Sequence, residues 1–335
     1  DWRSPGVELN DAGYLWQADY INQGINLLYW INKPQGFLNS YYIDLQQKHK
    51  RSFGGEKLGD ELSAHVRLQL KNLWKLDIVG GREIYKVDTR QLRGGPSLRI
   101  DGNNSARIFV QTNSSKNLFM GGGPQVTWND DNVSQIKQFS FYVQWLLGTR
   151  FSLISNTSVS FQTDNNQYVM QKIIDDKRKY VVGTIDRKTL STILRAELFV
   201  TPELSFQYYG NPYASVGQYQ GFRQVSNSKS TDINQRFSPL FINAASGEKL
   251  LVDEKNFLIR DLKANNPDFN FQEFRSTFVA RWEYKTGSTM YFVWTNNRSR
   301  YESLYIPSLI ESLKGINNVK SDNAFMLKVS FWFSL

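Results

Sequence analysis

Residues 61–76 decide the fold: Glu61-Leu62-Ser63-Ala64-His65-Val66-Arg67-Leu68-Gln69-Leu70-Lys71-Asn72-Leu73-Trp74-Lys75-Leu76. Leu62, Ala64, Val66, Leu68, Leu70 and Trp74 occupy one phase of a two-residue period. Glu61, Ser63, His65, Arg67, Gln69, Lys71 and Lys75 occupy the other. Successive side chains of a β-strand point to opposite faces, so this segment predicts a strand with one apolar and one charged face. A helix would mix the two sets around its circumference.

The same alternation recurs along the chain. Phe37, Tyr41, Ile43 and Leu45 oppose Ser40, Asp44, Gln46 and Lys48. Phe139, Phe141, Val143, Trp145 and Leu147 oppose Gln138, Ser140, Tyr142 and Gln144. Phe151, Leu153, Val159 and Phe161 oppose Ser152, Asn156, Ser158 and Ser160. Leu190, Leu194, Ala196, Leu198 and Val200 oppose Ser191, Arg195 and Glu197. Phe274, Phe278, Ala280, Trp282 and Tyr284 oppose Arg275, Thr277, Arg281 and Glu283. The last segment sets Phe325, Leu327, Val329, Phe331 and Phe333 against Lys328 and Ser330.

Two architectures use such strands. A sandwich turns the apolar face inward; a membrane barrel turns it toward lipid and the polar face toward the lumen. Three features favour the barrel. Several alternating runs are about 11–16 residues long, beyond the 5–6 usual in sandwiches and enough for membrane-crossing strands. Aromatics flank the apolar runs at Trp74, Trp145, Trp282, Tyr284 and Trp294, as in an interfacial girdle. The chain also ends on the aromatic strand Phe331-Trp332-Phe333-Ser334-Leu335. The expectation is an all-β, antiparallel up-and-down transmembrane β-barrel of about 12–14 strands. Closure requires every strand edge to be paired, so an even strand number is a firmer expectation than the count.

One barrel domain is expected over 1–335. Long outer loops are expected at 113–135, 163–188, 212–270 and 297–323, with hidden strands within 98–130 or 163–188 as the alternative. Lys285-Thr286-Gly287, Thr201-Pro202-Glu203 and Leu147-Gly148-Thr149-Arg150 read as tight turns.

Composition narrows the chemistry. The chain has 335 residues, no cysteine, two histidines, a net charge of +9 and 14% aromatic residues, with a mean hydropathy of -0.47. Disulfide scaffolds, cysteine-ligated zinc and thiol catalysis are excluded, and the aromatic load argues against disorder. The charge is dispersed, and Lys48-His49-Lys50-Arg51 reads as a solvated strand end, so no nucleic-acid partner is expected. No catalytic triad is recognisable, and neither metal nor cofactor is expected. Asp60-Glu61, Asp130-Asp131 and Asp175-Asp176 read as solvated turn or strand-end residues. Gly94-Gly95-Pro96 and Gly121-Gly122-Gly123-Pro124 lack the lysine of a phosphate loop and suit turns, bulges or a constriction. Candidate binding residues are the lumen-facing His65, Arg67, Lys71, Arg195, Glu197, Arg275, Arg281 and Glu283; the alternative is a self-neutralising polar interior. Tyr208, Tyr209, Tyr213, Tyr219 and Phe222 are outer-loop candidates for stacking on sugars, with a strand-end role the alternative for the first two.

Several segments together resemble a known family: Leu92-Arg93-Gly94-Gly95-Pro96, Thr201 to Tyr209, Phe269-Asn270-Phe271, Arg281-Trp282-Glu283-Tyr284-Lys285-Thr286-Gly287-Ser288-Thr289 with Val293-Trp294, and Asp322-Asn323-Ala324-Phe325 with Lys328. They are similar to the C-terminal barrel domain of uncharacterised outer-membrane proteins of Bacteroidota. In those proteins a carbohydrate-binding module similar to family nine precedes the barrel. The resemblance implies the bacterial outer membrane and supplies no catalytic residues. The expected function is a transport or scaffold component for glycan or protein traffic, within a larger complex. Its partners would be membrane lipid, lipopolysaccharide, other outer-membrane proteins and glycan. The alternative is a barrel-anchored saccharide-binding protein or hydrolase, with its chemistry in outer loops or in an N-terminal module.

Overall fold

A computed structural model describes residues 1–8, 15–244 and 249–333. The fold is all-β and dominated by one antiparallel sheet whose strands follow chain order. It begins with β1 (Trp2–Arg3), β2 (Tyr20–Ile31), β3 (Leu38–Arg51), β4 (Lys57–Leu70) and β5 (Lys75–Glu83). The chain then leaves the sheet as a small hairpin, β6 (Lys86–Asp88) and β7 (Leu98–Ile100). It returns through β8 (Asn103–Gln111), β9 (Leu118–Asn129), β10 (Gln135–Leu147), β11 (Phe151–Ile174), β12 (Lys177–Phe199) and β13 (Leu204–Val225). A short helix α1 (Ile233–Arg236) leads to β14 (Phe237–Pro239), which pairs with the upper end of β13. β15 (Phe241–Asn243), β16 (Leu250–Val252) and β17 (Leu258–Asp261) form a separate three-stranded sheet. The main sheet resumes with β18 (Phe269–Lys285) and β19 (Ser288–Glu302). A helix α2 (Leu309–Gly315) precedes its last strand, β20 (Asp322–Ser330).

The two ends of this sheet differ. At one end the connections are short: 32–37, 71–74, 112–117, 148–150, 200–203 and 286–287. At the other lie the excursions 84–102, 226–268 and 303–321, among shorter turns. The tight turns expected at 148–150, 201–203 and 285–287 all fall at the short-turn end.

Register places the apolar sets of the alternating segments side by side. Leu118, Trp145, Leu153, Ala196, Tyr208, Phe278, Trp294 and Phe325 form one lateral row across eight strands. Tyr29, Ile43, Val66, Ile78 and Ile108 form another. Nothing among the described residues covers this face in its short-turn half. Leu27, Leu147 and Leu327 are 65%, 56% and 64% exposed, and none of the buried apolar residues belongs to that half. The accessible surface is 20349 Å², against about 14,000 Å² for a compact monomer of this mass. No helix is long and apolar enough to cross a membrane, which says nothing of strands. No ladder joins β20 back to β2 among the described residues, so the sheet is not closed.

Several boundaries depart from expectation. The stretch 61–76 is not one strand: the chain turns at 71–74, where Asn72 Oδ1 accepts from the Trp74 amide at 3.0 Å and Leu73 takes φ 66°. The loop expected at 113–135 holds β9. Its Gly121-Gly122-Gly123-Pro124 run lies inside the strand, because a Cβ at Gly123 would overlap the Ile108 carbonyl. The loop expected at 163–188 is the far half of a hairpin turning at Asp175-Asp176, whose φ values of 50° and 58° suit a two-residue turn. Beyond the apolar band both strand faces carry polar residues, so the alternation fades although the ladder continues. For the same reason β13 extends to Val225 within the expected loop 212–270, and β19 to Glu302 within 297–323. Trp294 is mid-strand, stacked on Phe325 at 6.2 Å, rather than at a rim. The last strand ends at Ser330, before Phe331-Trp332-Phe333; Ser334 and Leu335 lie outside the described residues.

Candidate functional site: the bridged mouth

β11, β12 and β13 run 24, 23 and 22 residues, far beyond the start of β10 at Gln135, which pairs with Thr163. That is about twice what crosses a bilayer. Their projecting halves carry both buried cores. Val181, Phe222, Leu240, Leu251, Ile259 and Leu262 form one, roofed by the small β15–β17 sheet. Leu92, Leu98, Tyr180, Val182 and Phe237 form the other, built around the excursion 84–102. Neighbouring Val181 and Val182 thus face different cores, and β12 is covered on both sides there.

The 84–102 excursion is a bridge. Asp88 Oδ1 accepts from the Arg90 and Gln91 amides at 2.8 and 3.0 Å, turning the chain out of β6. Gly94 takes φ 91°, and a Cβ on Gly95 would lie 2.6 Å from the Tyr180 ring, so this glycine lets the turn dock on β12. Arg93 lies over Tyr168 at 4.9 Å, and Gln91 Nε2 donates to the Asn166 carbonyl at 2.6 Å. On the opposite flank, Arg90 sits over Trp16 at 4.2 Å and Ser97 Oγ donates to Glu56 at 3.4 Å. Glu56 also pairs with Lys229. One short segment therefore touches the turn before β4 and the far halves of β11 and β12, strands well separated along the sheet.

Arg236 locks the bridge. It is 1% exposed, and its Nη1 and Nη2 donate to the two Asp101 carboxylate oxygens at 3.0 Å each. It also donates to the carbonyls of Arg99, Ser230 and Thr231. A guanidinium with this many acceptors is both satisfied and orientationally fixed. The Arg99 amide adds a bond to the Ser228 carbonyl at 2.8 Å. Arg99 and Lys57 bracket the Tyr85 ring at 3.6 and 4.3 Å.

Polar cavities flank the bridge. One, of about 260 Å³, is lined by Trp16, Lys48, Lys50, Glu61, Glu83 and Arg90. Another, of about 280 Å³, is lined by Asp88, Gln91, Asn103, Gln162, Asp164 and Asn166. Burial pushes the Asp164 carboxyl up, against the Asn166 amide that donates to it at 2.8 Å. At the rim, Arg82 holds the Asp130 carboxyl below its ordinary range through two 2.6 Å hydrogen bonds.

The residues singled out in the sequence fall elsewhere on the sheet. His65 Nε2 and Arg67 Nε both reach Asp77 Oδ1, at 2.7 and 2.6 Å, and the Tyr42 hydroxyl lies 3.0 Å from His65 Nδ1. Asp77 is buried, so the charges of β4 are met from β5. Lys71 does not share their face: it lies exposed in the 71–74 turn, because the strand ends at Leu70. Arg195 stands over Tyr209 at 5.8 Å, and Glu197 pairs in register with Gln207. Arg275 pairs with Glu273 at 2.7 Å and Arg281 with Glu283 at 3.1 Å. β4 and β12 are six strand positions apart, about 29 Å along the sheet, so His65 and Arg67 do not meet Arg195 and Glu197 through neighbouring strands. Tyr208, Tyr209, Tyr213, Tyr219 and Phe222 all belong to β13 rather than a loop, and Phe222 is buried in a core. No group of three or more potential metal ligands occurs among the described residues.

The bridge itself was legible only as Leu92-Arg93-Gly94-Gly95-Pro96, read as a turn. Nothing local pairs Asp101 with Arg236.

Fold and site define a class: an all-β chain with one long antiparallel meander, an apolar face that the described residues leave uncovered in its short-turn half, and a polar end bridged by 84–102. The chain belongs to an uncharacterised family, described as a domain of unknown function (DUF5916), which matches residues 2–334. Comparison with curated proteins and with solved structures finds no match.

Proposed function

We propose that this chain is a β-barrel of the bacterial outer membrane whose mouth is occluded by the 84–102 bridge, and that it serves as a scaffold or gated transport component for glycan or protein traffic. One observation carries the reading: the meander presents a continuous apolar face whose short-turn half no described residue covers, with short turns at one end and structured excursions at the other. Burying such a face in lipid removes the cost of exposing it to water, and the end asymmetry matches outer-membrane barrels. The banding along the strands supports it. Trp74, Trp145 and Trp282 lie toward the short-turn end and Trp128 toward the other, all 39–49% exposed. Beyond the apolar band, Arg51 with Asp60 and Arg82 with Asp130 form ion pairs at the long-loop rim, and His49 Nδ1 lies 2.6 Å from Asp60 Oδ1, a polar collar suited to lipopolysaccharide headgroups.

The bridge favours the occluded form over an open pore. It is tied to both flanks and buries Leu92 and Leu98 completely, unlike a mobile loop. The polar inner face, self-paired at His65, Arg67 and Asp77, then serves as lumen lining.

The test has two arms. Extracted protein should run as a compact, heat-modifiable band in detergent, and should show no steady conductance in planar bilayers. Full β-structure in plain buffer would overturn the membrane reading. A stable open channel in the native protein would overturn the occluded mouth and leave a simple pore.

A further inference from the structure

The polar cavity of about 260 Å³ beside Trp16 lies between the sheet and the bridge. Lys48 and Lys50 line it from β3. They stand on the face that carries His65, because Asp44 opposes His65 and Lys48 opposes Glu61. Lys86 and Arg90 line it from the bridge. The lining also holds three carboxylates, Glu61, Glu83 and Asp88, so its charge balance depends on which cations they reach.

All three carboxylates are engaged. Lys48 Nζ lies 3.7 Å from Glu61, and Lys86 Nζ lies 3.0 Å from Glu83. Asp88 Oδ1 accepts from the Arg90 and Gln91 amides. The other two cations meet only neutral groups. Lys50 Nζ donates to Gln17 Oε1 at 2.7 Å and lies 4.3 Å from the Tyr20 ring centre. Arg90 Nη1 donates to the Trp16 carbonyl at 3.1 Å, with its guanidinium 4.2 Å from the indole. Neither forms an ion pair among the described residues. Lys50, beyond the apolar band, is half-buried. Burial lowers its pKa, and the positive charges of Arg90, Lys86 and Arg3 lower it further. Like charges crowded where water is scarce disfavour one another, and an anion placed among them reverses the sign.

The two flanks of the bridge differ in the same sense. Toward β12, Leu92 and Leu98 are buried against Tyr180, Val182 and Phe237. Toward β3 and β5 the bridge is held by Arg90 on Trp16 and by the partly exposed Lys86–Glu83 pair.

We propose that this cavity binds an oxyanion, the phosphate or carboxylate group of a water-soluble solute, between Lys50 on the sheet and Arg90 on the bridge, and that the bound anion clamps this flank of the bridge. Lysine supplies a point charge, and arginine the donors that the Trp16 carbonyl leaves over. The cavity lies on the polar face of β3, opposite the outward row of Tyr29 and Ile43, so the anion arrives from water and not as a lipid headgroup. The inference rests on the bridge geometry and not on the lipid assignment.

Native protein in detergent is titrated calorimetrically with inorganic phosphate, pyrophosphate and galacturonate, and protease cleavage within 84–102 is followed in each. At least one of these anions should bind saturably and slow the cleavage. Sodium chloride at matched ionic strength should not. Lys50→Gln and Arg90→Gln should each weaken binding about tenfold. Exposed Lys137, in the outward phase of Phe139, serves as the control, and Lys137→Gln should leave binding unchanged. Lys50→Glu supplies the missing carboxylate: it should abolish binding and protect the bridge with no anion added, whereas a misfolded variant would expose the bridge. No saturable binding by any of the three anions, or binding that survives Lys50→Gln, would overturn the proposal. Equal protection by chloride would overturn the oxyanion. Binding that leaves the cleavage unchanged would overturn the clamp. Gel mobility and conductance test the membrane reading separately, so the failure of one is distinguishable from the failure of the other.

Discussion

The short-turn and long-loop halves of this sheet are built from the same strands and held together differently. In the short-turn half the sheet is a single layer. Its apolar face is exposed and its polar face is occupied by local pairs such as Arg67–Asp77 and Arg281–Glu283. In the long-loop half the strands outrun the apolar band. There 84–102 with Phe237 packs on one face and the β15–β17 sheet on the other, with Val182 in one core and Val181 in the other. On the proposed reading lipid covers the apolar face of the first half, whereas the second is held by its own packing. Alternation with one face uncovered needs a solvent for that face. Alternation that fades needs a second layer.

That contrast can be broken at defined places. The largest effect is expected in the two-layer half. Arg236→Ala leaves Asp101 without its cation and the turn carbonyls without a donor, costing about 3–5 kcal/mol locally. The bridge should detach, read as new protease cleavage within 84–102 and as conductance absent from the native protein. Unchanged protection would mean that the apolar contacts of Leu92 and Leu98 suffice.

In the single-layer half, Val66 sits at the middle of the outer face of β4, between Ile43 and Ile78. Val66→Arg should cost about 2–4 kcal/mol near a bilayer midplane and abolish the heat-modifiable band. Leu68→Arg, nearer the short-turn end, should cost less, and inward-facing Gln69→Arg should be tolerated. Equal effects at Val66 and Gln69 would remove the distinction between the two faces.

Asp164 gives a smaller, signed effect. Burial raises its folded-state pKa above the unfolded value. The folded state therefore holds the proton more tightly, and stability declines as pH rises from the unfolded carboxyl range through the folded pKa. Asp164→Asn should flatten that decline and stabilise the protein at neutral pH, as melting of the bridged end followed against pH would show. A steeper decline would reverse the assignment.

Arg82→Ala should be the mildest. The Arg82–Asp130 pair is 41% exposed on each side, and exposed pairs contribute about 0.2–1 kcal/mol. Because the Asp130 pKa is depressed, its contribution is present above the unfolded carboxyl pKa and lost as pH falls through the folded one. High salt should shrink the difference between variant and native melting.

Much of the sheet was legible in the sequence. The segments around Val66, Phe141, Leu153, Ala196, Phe278 and Leu327 have the phase their alternation indicated, because the side-chain period belongs to each strand alone. The turns at Gly148, Pro202 and Gly287 were legible for the same local reason. The misreadings share a cause. Gly121 to Pro124 and the polar run around Asp164 look like loops, because a strand with close backbone neighbours or polar surroundings has no apolar signature. Of the candidate site residues, His65, Arg67, Arg195, Glu197, Arg275, Arg281 and Glu283 do share the polar phase, but phase does not make them neighbours.

What the sequence determined by itself is the two-faced strand, its repetition and the positions of several tight turns, all set by residues within a few positions of one another. Tertiary structure alone decided which strands overrun the apolar band and how 84–102 crosses between flanks. The Asp101–Arg236 pair joins residues 135 positions apart. Such contacts depend on where distant segments arrive in space, which no local period encodes.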